Sequence, residues 1–351
     1  MATNNFPLIS IIITTKNEEK NIGNCLESIK AQTYLSRGSK ATLRDSQEKI
    51  EVIVVDNNSS DRTKEIAKKY TKNVYNFGPE RSAQRNFGIK KAKGEYVMYL
   101  DADMILSSTV IEEVIKKFQN SNIQYPISNI PLVALYIPEI VLGNFFWSKV
   151  RRFERSFYDG TVIDCVRVVR KDIFEKVGGF DLSMTGPEDW DFDKKVRQQG
   201  KVEVLTKYDF EELNRKISDI RNWILDKNGL KKLTVLTSEP VIYHNETEFN
   251  LKRYLAKKSY YAQSFKKYIE KWSRKDSFAS HGIKAKSDPD IKKQFGFWYR
   301  YFGVFLENGK WKRLLRHPIL TLGMYFLRGL VGGSYLKSLL TRYLKVDKNI
   351  Y

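Results

Sequence analysis

Tyr96-Val-Met-Tyr-Leu-Asp-Ala-Asp103 is five apolar or aromatic residues running straight into two aspartates that are separated by one residue. A short uncharged run of this kind reads as a strand buried on both faces, as in a parallel sheet. The pattern occurs twice more upstream. Leu8-Ile-Ser-Ile-Ile-Ile-Thr-Thr15 leads into Lys16-Asn-Glu-Glu19, and Glu51-Val-Ile-Val-Val-Asp56 leads into Asn57-Asn-Ser-Ser-Asp61. Ile22, Leu26 and Ile29 recur at helical spacing after the first run, and the second polar cluster suits the cap of a helix starting near Arg62. This alternation predicts an α/β fold with a doubly wound, mainly parallel sheet. Ligands of such sheets bind beyond the carboxyl ends of the strands. Residues 14–18, 56–61 and 101–103 are therefore expected to converge on one crevice.

Working outward, the 351 residues allow one large α/β domain with an appended segment. At 42% hydrophobic and 29% charged the composition is globular, which excludes collagen-like and disordered classes. The net charge of +20 is unevenly placed. Residues 251–351 hold 23 Lys and Arg against 6 Asp and Glu, whereas residues 1–250 hold 38 against 35. This divides the chain into a near-neutral region over 1–250 and a basic region, expected to be helical, over 251–351. A basic tail calls for an anionic partner. Lys252-Arg-Tyr-Leu-Ala-Lys-Lys258 and Lys266-Lys-Tyr268 mix cations with aromatics, which suits an anionic membrane surface at about 1 kcal/mol per cation. A solvated helix face is the plainer account of the same residues. The apolar runs within 313–328 are too short to span a bilayer and predict an amphipathic anchor lying on it. No zinc finger, helix-turn-helix or RNA-binding signature is present, so nucleic acid is not the expected partner.

Cys25 and Cys165 are too few for a disulfide framework and read as isolated buried thiols in a reducing compartment. No basic segment followed by an apolar run appears near Met1, so no signal peptide is evident. The expected location is cytoplasmic and peripheral, on the inner face of the cell membrane. Residues 125–147 are long and apolar, but Pro126, Pro131, Pro138 and Glu139 argue against a lipid-exposed helix. Buried irregular structure beside the crevice is expected there. Residues 210–225 carry an amphipathic helical pattern that reads as an insertion.

Asp101 and Asp103 at a strand end suit a hard divalent cation whose other ligands are diphosphate oxygens. Thr15, Asn17, Glu18 and Asp56 offer hydrogen bonds to a base and ribose, although Asn17, Ser60 and Asp61 equally suit helix capping. Arg81 and Arg85, four apart, share a helix face and can reach phosphates bidentately. Ordinary solvated charges explain them equally well. Gly186-Pro-Glu-Asp-Trp-Asp-Phe-Asp193 holds four carboxylates at the start of a helix. Some complement the helix dipole, and one can act as a general base on a hydroxyl. His244 ends the β-like run Pro240-Val-Ile-Tyr243 and is either a ligand or a satisfied core group.

In order and spacing, six segments resemble the family 2 glycosyltransferases with the GT-A fold. They are T-x-N-E (Thr15, Asn17, Glu18), V-V-D-N-x-S-x-D-x-T (Val54 to Thr63), R-N-x-G (Arg85 to Gly88), D-A-D (Asp101 to Asp103), F-x-x-x-G-G-F-D (Phe174 to Asp181) and G-x-E-D-W-D (Gly186 to Asp191). The resemblance runs from about Pro7 to His244. It implies a sugar-nucleotide part over about 7–120 and an acceptor part over about 121–250. It further implies that Thr15, Glu18 and Asp56 line base and ribose, that Arg85 and Asn86 approach ribose and diphosphate, and that Asp101 and Asp103 meet the donor and a Mn²⁺ or Mg²⁺ ion. Asp103 is then the direct metal ligand, His244 a further one, and Asp189 of the Glu188-Asp189 pair the catalytic base. Asn57 and Lys16 depart from the usual pattern and leave a UDP- or GDP-sugar equally open. The implied reaction is inverting transfer to a hydroxyl acceptor, a lipid-linked or cell-surface glycan. The alternatives are a polyprenyl phosphate acceptor, a nucleotidyltransferase, or a basic nucleic-acid-binding protein.

Overall fold

The computed structural model describes residues 7–35, 49–123, 130–219, 236–273 and 288–347. Its strands are β1 (Ile9–Thr15), β2 (Ile50–Asp56), β3 (Val74–Asn76), β4 (Tyr96–Asp101), β5 (Met104–Leu106), β6 (Leu132–Tyr136), β7 (Glu139–Leu142), β8 (Val168–Arg170), β9 (Lys201–Val204) and β10 (Ile242–Asn245). Seven form one sheet in the order β3-β2-β1-β4-β8-β6-β9. The neighbours β3, β2, β1 and β4 run parallel, β8 lies antiparallel between β4 and β6, and β6 runs parallel with β9.

Strand periodicity explains why this sheet is buried on both sides. Side chains alternate between faces. Ile9, Ile11 and Ile13 of β1 join Tyr96, Met98 and Leu100 of β4 in one cluster, against Leu26 and Phe118 of helices Ile22–Lys30 and Val110–Ile123. Ile12, Ile53, Val55, Val97 and Tyr99 face the other way, onto Ile89 of helix Arg81–Lys91 and Phe192 of helix Glu188–Arg197. Helix Arg81–Lys91 comes unusually close at Gly88, where an added Cβ would sit 2.5 Å from Ile12 Cγ2. The absence of a side chain there lets Arg81 and Arg85 ride low over the strand ends.

A second, three-stranded sheet is ordered β5-β10-β7. It starts immediately after the Asp101-Ala-Asp103 segment, and β10 pairs antiparallel with β5 so that His244 lies opposite Met104. Residues 132–142, expected to be irregular, are instead the fully buried strands β6 and β7, followed by helix Phe146–Arg155. Pro131 and Pro138 flank these strands rather than interrupt them, where the missing N–H costs nothing to the ladder. Residues 125–129 of that stretch, including Pro126, lie outside the described residues. The amphipathic pattern at 210–225 is a helix over Phe210–Asp219, with Leu213 and Ile217 inward. Its remainder also lies outside the described residues.

The basic C-terminal region is helical and shares a core with the catalytic part. Val304, Phe305, Met324 and Leu327 cluster with Val150, Phe153, Phe157 and Phe210. The expectation of apolar runs too short for a bilayer is corrected here. A 30-residue helix, Pro318–Asp347, contains a 19-residue stretch, Pro318–Leu336, long and apolar enough to cross a membrane by length and composition. The run looked interrupted at Arg328, but that guanidinium is buried, with Nε 3.0 Å from Glu154 Oε1. It therefore does not break the outer apolar face.

Candidate active site

Parallel register places the three polar strand ends side by side. Thr15 pairs with Asp56 across β1 and β2, and Thr14 with Asp101 across β1 and β4. The loops after β1 and β2 are then stitched together. Asn17 N–H donates to Ser59 Oγ at 2.8 Å, Ser60 N–H donates to Asn17 Oδ1 at 2.9 Å, and Glu18 N–H donates to Thr63 Oγ1 at 2.8 Å. Asn17 adopts φ +55, a left-handed conformation that asparagine tolerates better than most residues. Gln84 reaches up from its helix and donates to the carbonyls of both Thr15 and Val55, tying the two strand ends from below.

Over these ends lies a lattice of two guanidiniums and three carboxylates. Arg85, with no solvent exposure, donates to Asp189 Oδ1 at 2.7 Å and to Asp101 Oδ1 at 3.1 Å. Arg81 donates to Glu188 Oε1 at 3.0 Å and to Asp101 Oδ2 at 3.3 Å. Asp101, which also accepts from Thr14 Oγ1 at 3.2 Å, has both oxygens engaged. Burial opposes its charge, but Arg85 and Arg81 overcome this and hold its carboxyl well below the usual range. Burial, with Asp189 alongside, pushes Glu188 upward against the pull of the same arginines.

The four carboxylates of residues 186–193 divide by helical position. Glu188 and Asp189 face the crevice. Asp191 is buried on the other side, accepting from Trp272 Nε1 at 3.0 Å and paired with Lys271 at 2.8 Å, while Asp193 accepts from Tyr136 Oη at 2.7 Å. The last two therefore anchor the helix.

Asp103 stands apart from the arginines. Its Oδ2 lies 3.1 Å from His244 Nε2, and its Oδ1 is buried with no hydrogen-bond partner. Burial disfavours a charged His244, but the Asp103 carboxylate outweighs this and pushes the imidazole up to about 9. An orphaned carboxylate oxygen beside an imidazole is a donor set that suits a divalent cation. Among the described residues no group of three His, Cys, Asp or Glu side chains forms a complete cage. A cation there would take its other ligands from water and phosphate, as hard divalent ions bound by one or two carboxylates do.

Several expected residues have different employment. Asn86 does not face the crevice: its side-chain amide donates to Phe180 O and accepts from Phe180 N–H, both at 2.9 Å. One residue beyond Arg85 on a helix turns the side chain about 100° away, so it holds the Gly-Gly-Phe loop instead of approaching a nucleotide. Asp56 is fully buried and accepts from Ser59 N–H at 2.8 Å and from Ser59 Oγ, which holds the loop after β2. Glu18 accepts from Asn21 Nδ2 at 2.7 Å, and burial, with Asp103 and Asp101 nearby, raises its pKa. Thr15 Oγ1 is buried without a partner at the crevice floor.

Sequence reasoning missed the contribution of helix Leu251–Ala262. Tyr261 lies under the Arg81 guanidinium, 5.5 Å from ring centroid to Cζ, and Tyr260 Oη donates to Glu80 at 2.8 Å. Gly186, at φ +103, lets the chain pass Tyr261, since an added Cβ would come within 2.5 Å of the Tyr261 Cβ. Arg167 was also overlooked. It is buried, donates from Nε to Glu139 Oε1 at 2.6 Å, and leaves Nη1 without a partner. A lone cation inside Cys165-Val-Arg-Val-Val169 was the available signal.

With this geometry in place, known proteins give it a family. A family model described as Glycosyl transferase family 2 matches residues 10–178. An uncharacterized glycosyltransferase of Rickettsia typhi is 27% identical over 251 residues, covering 65% of this chain and 73% of its own. Glycosyltransferase AglE of Haloferax volcanii is 26% identical over 257 residues, covering 67% and 80%. Among solved structures, the mannosyltransferase PcManGT from Pyrobaculum calidifontis, in complex with GDP-Man and Mn²⁺, aligns over 98% of this chain and 81% of that one, with 15% identity and a TM-score of 0.45. Residues 10–178 thus match the family 2 glycosyltransferases, and the chain is a transferase whose mainly parallel seven-stranded sheet is of the GT-A type.

Proposed function

We propose that this glycosyltransferase moves a sugar from a UDP- or GDP-linked donor to a hydroxyl on a lipid-linked or cell-surface glycan, with inversion at the anomeric carbon. The observation that carries this reading is the Arg85 bridge, which brings Asp189 within one guanidinium of the strand-end Asp101. Asp189 removes the proton from the acceptor hydroxyl as its oxygen bonds to the anomeric carbon. The bond from that carbon to the diphosphate breaks, and its electron pair leaves with the nucleoside diphosphate. Arg85 orients the Asp189 carboxylate through Oδ1, leaving Oδ2 for the acceptor. Thr15, Asn17, Glu18 and Asp56 line the base and ribose side of the crevice. Asp103 and His244 would hold Mn²⁺ or Mg²⁺, whose chemistry when bound is to offset charge on the diphosphate.

The second part of the proposal is that the enzyme works at the cytoplasmic face of a membrane, bound peripherally to anionic lipid. An outer belt of exposed apolar side chains supports this, among them Trp298 at 75%, Ile319 at 70% and Leu322 at 72% exposure. Exposed apolar patches flanked by cations are characteristic of interfacial contact. A polyprenyl phosphate acceptor is the competing reading, because an ionised phosphate needs no base. Thermal-shift screening of UDP- and GDP-sugars with and without Mn²⁺, followed by transfer assays of Asp189→Asn, tests the whole proposal. No donor-dependent stabilisation would sink it, and full activity of the variant would transfer the case to the phosphate acceptor.

A further inference from the structure

Four cations gather where helices Phe146–Arg155, Leu251–Ala262 and Pro318–Asp347 meet the segment Tyr299–Gly303. Arg151 Nη1 donates to Glu154 Oε2 at 2.8 Å, and Arg328 Nε donates to Glu154 Oε1 at 3.0 Å, so one carboxylate serves two guanidiniums. Arg151 Nε lies 3.5 Å from Glu246 but makes no hydrogen bond, although the residue is about nine-tenths buried. Lys258 Nζ sits 5.3 Å from the Tyr254 ring centroid, and Arg151 stacks over the same ring at 4.9 Å. Among the described residues, no carboxylate pairs with Lys258 or Arg300, and Arg300 Nη1 is buried without a partner. Lys258 and Arg300 are half-buried without counter-charge, and a buried guanidinium nitrogen with no partner is costly unless an anion completes it. Burial, together with Arg151, Arg300 and Lys257, pushes the Lys258 ammonium down to about 7 against the pull of Glu154, as an incomplete site would.

The position of this cluster says which anion. Arg300 lies two residues from each of the exposed Trp298 and Phe302, and Arg328 belongs to the helix that exposes Ile319, Leu322 and Phe326. On its inner side the cluster meets Glu246, two residues beyond His244, and the helix that carries Tyr261 to Arg81. The cations thus lie between the outer apolar belt and the reaction crevice. A ligand that is apolar at one end, phosphorylated next, and carries its hydroxyl beyond would span all three.

We infer that Arg151, Lys258, Arg300 and Arg328 form a binding site for the phosphate or diphosphate group of a lipid-borne acceptor. This rests on the proposed transfer to a lipid-linked glycan and adds the part of the acceptor that is recognised. The phosphate is held and takes no part in bond making, and the reacting hydroxyl lies further along the glycan, toward Asp189. Charge-assisted hydrogen bonds from arginine suit the phosphate geometry.

The test uses the full chain saturated with UDP or GDP, so that the nucleotide site is filled. Farnesyl phosphate and farnesol serve as probes with the same tail, with and without the anion. Wild type should bind the phosphate at least tenfold more tightly than the alcohol. Lys258→Met with Arg300→Gln should remove that preference, and Arg300→Lys should restore part of it. Equal binding of phosphate and alcohol, or an unchanged preference in the double variant, overturns the proposal. So does inorganic phosphate competing as strongly as farnesyl phosphate, which would make the site one for the free anion. Loss of binding only to phosphatidylglycerol vesicles would assign the cations to bulk lipid and likewise overturn it. Nucleotide-induced melting shifts on the same samples report on the donor reading independently, so either reading can fail while the other stands.

Discussion

Arg85 Nη1 donates to Asp189 Oδ1 at 2.7 Å from a side chain with no exposure to solvent. The partners are 104 residues apart in the chain, and their contact joins the helix over the parallel strand ends to the helix that begins at Glu188. Removing the guanidinium leaves Asp101 and Asp189 without a shared counter-charge. Breaking a buried pair from one side typically costs about 3–5 kcal/mol. Arg85→Gln should therefore lower the midpoint of urea unfolding markedly as well as transfer. An unchanged midpoint would mean that the lattice contributes little to the folded state.

Asp189→Asn separates chemistry from architecture. The amide keeps an oxygen for Arg85 but cannot accept the acceptor proton, and general base catalysis typically contributes 10²–10⁴-fold. Transfer should fall by about that factor, while the melting shift on adding the nucleotide donor stays near the wild-type value. A lost nucleotide response would identify the carboxylate as a structural element of the donor site.

Asp103 and His244 should act together. If they hold a divalent ion, Asp103→Asn and His244→Ala should each abolish the extra melting shift that Mn²⁺ gives in the presence of nucleoside diphosphate, and the double variant should be no worse than either. Additive, metal-independent losses would show that the pair is held together for stability alone.

The outer apolar belt is tested by substitution rather than by deletion, because removing the C-terminal helices would open the cluster around Phe153 and Phe157. Burying one large apolar side chain is worth roughly 1.5–3 kcal/mol. Trp298→Ser with Leu322→Ser should reduce flotation with anionic vesicles at least about tenfold, with little change in melting temperature, since both side chains face solvent. Undiminished flotation would rule out this face as the lipid contact.

The sheet was legible because parallel strands buried on both faces leave uninterrupted apolar runs, and β1, β2 and β4 are such runs. Their polar ends converge because parallel pairing needs only register, and Thr15 opposite Asp56 follows from strands of equal length. What the sequence hid is what depends on long-range packing. Asn86 follows Arg85 directly yet turns to Phe180. Glu139 looked like a reason to deny a membrane span, whereas Arg155 and Arg167 neutralise it inside the protein and hold it down to about 2 against burial. Helix Leu251–Ala262 read as a basic tail because its aromatic face has no periodic signal that names Arg81 as a neighbour. The split of four carboxylates between crevice and anchor at residues 188–193 needed the helix phase and the positions of Lys271 and Trp272, which lie some eighty residues on.

Met324 and Leu327 point inward to Val150 and Phe153 while Leu322 and Phe326, on the same helix, point outward. The outer face is consequently mounted on the catalytic body like a foot on a rigid frame, not trailed from it on a leash. Whatever that face rests against, the crevice is presented to it at a fixed height and tilt. Reach toward an acceptor is then set by the length of the acceptor itself.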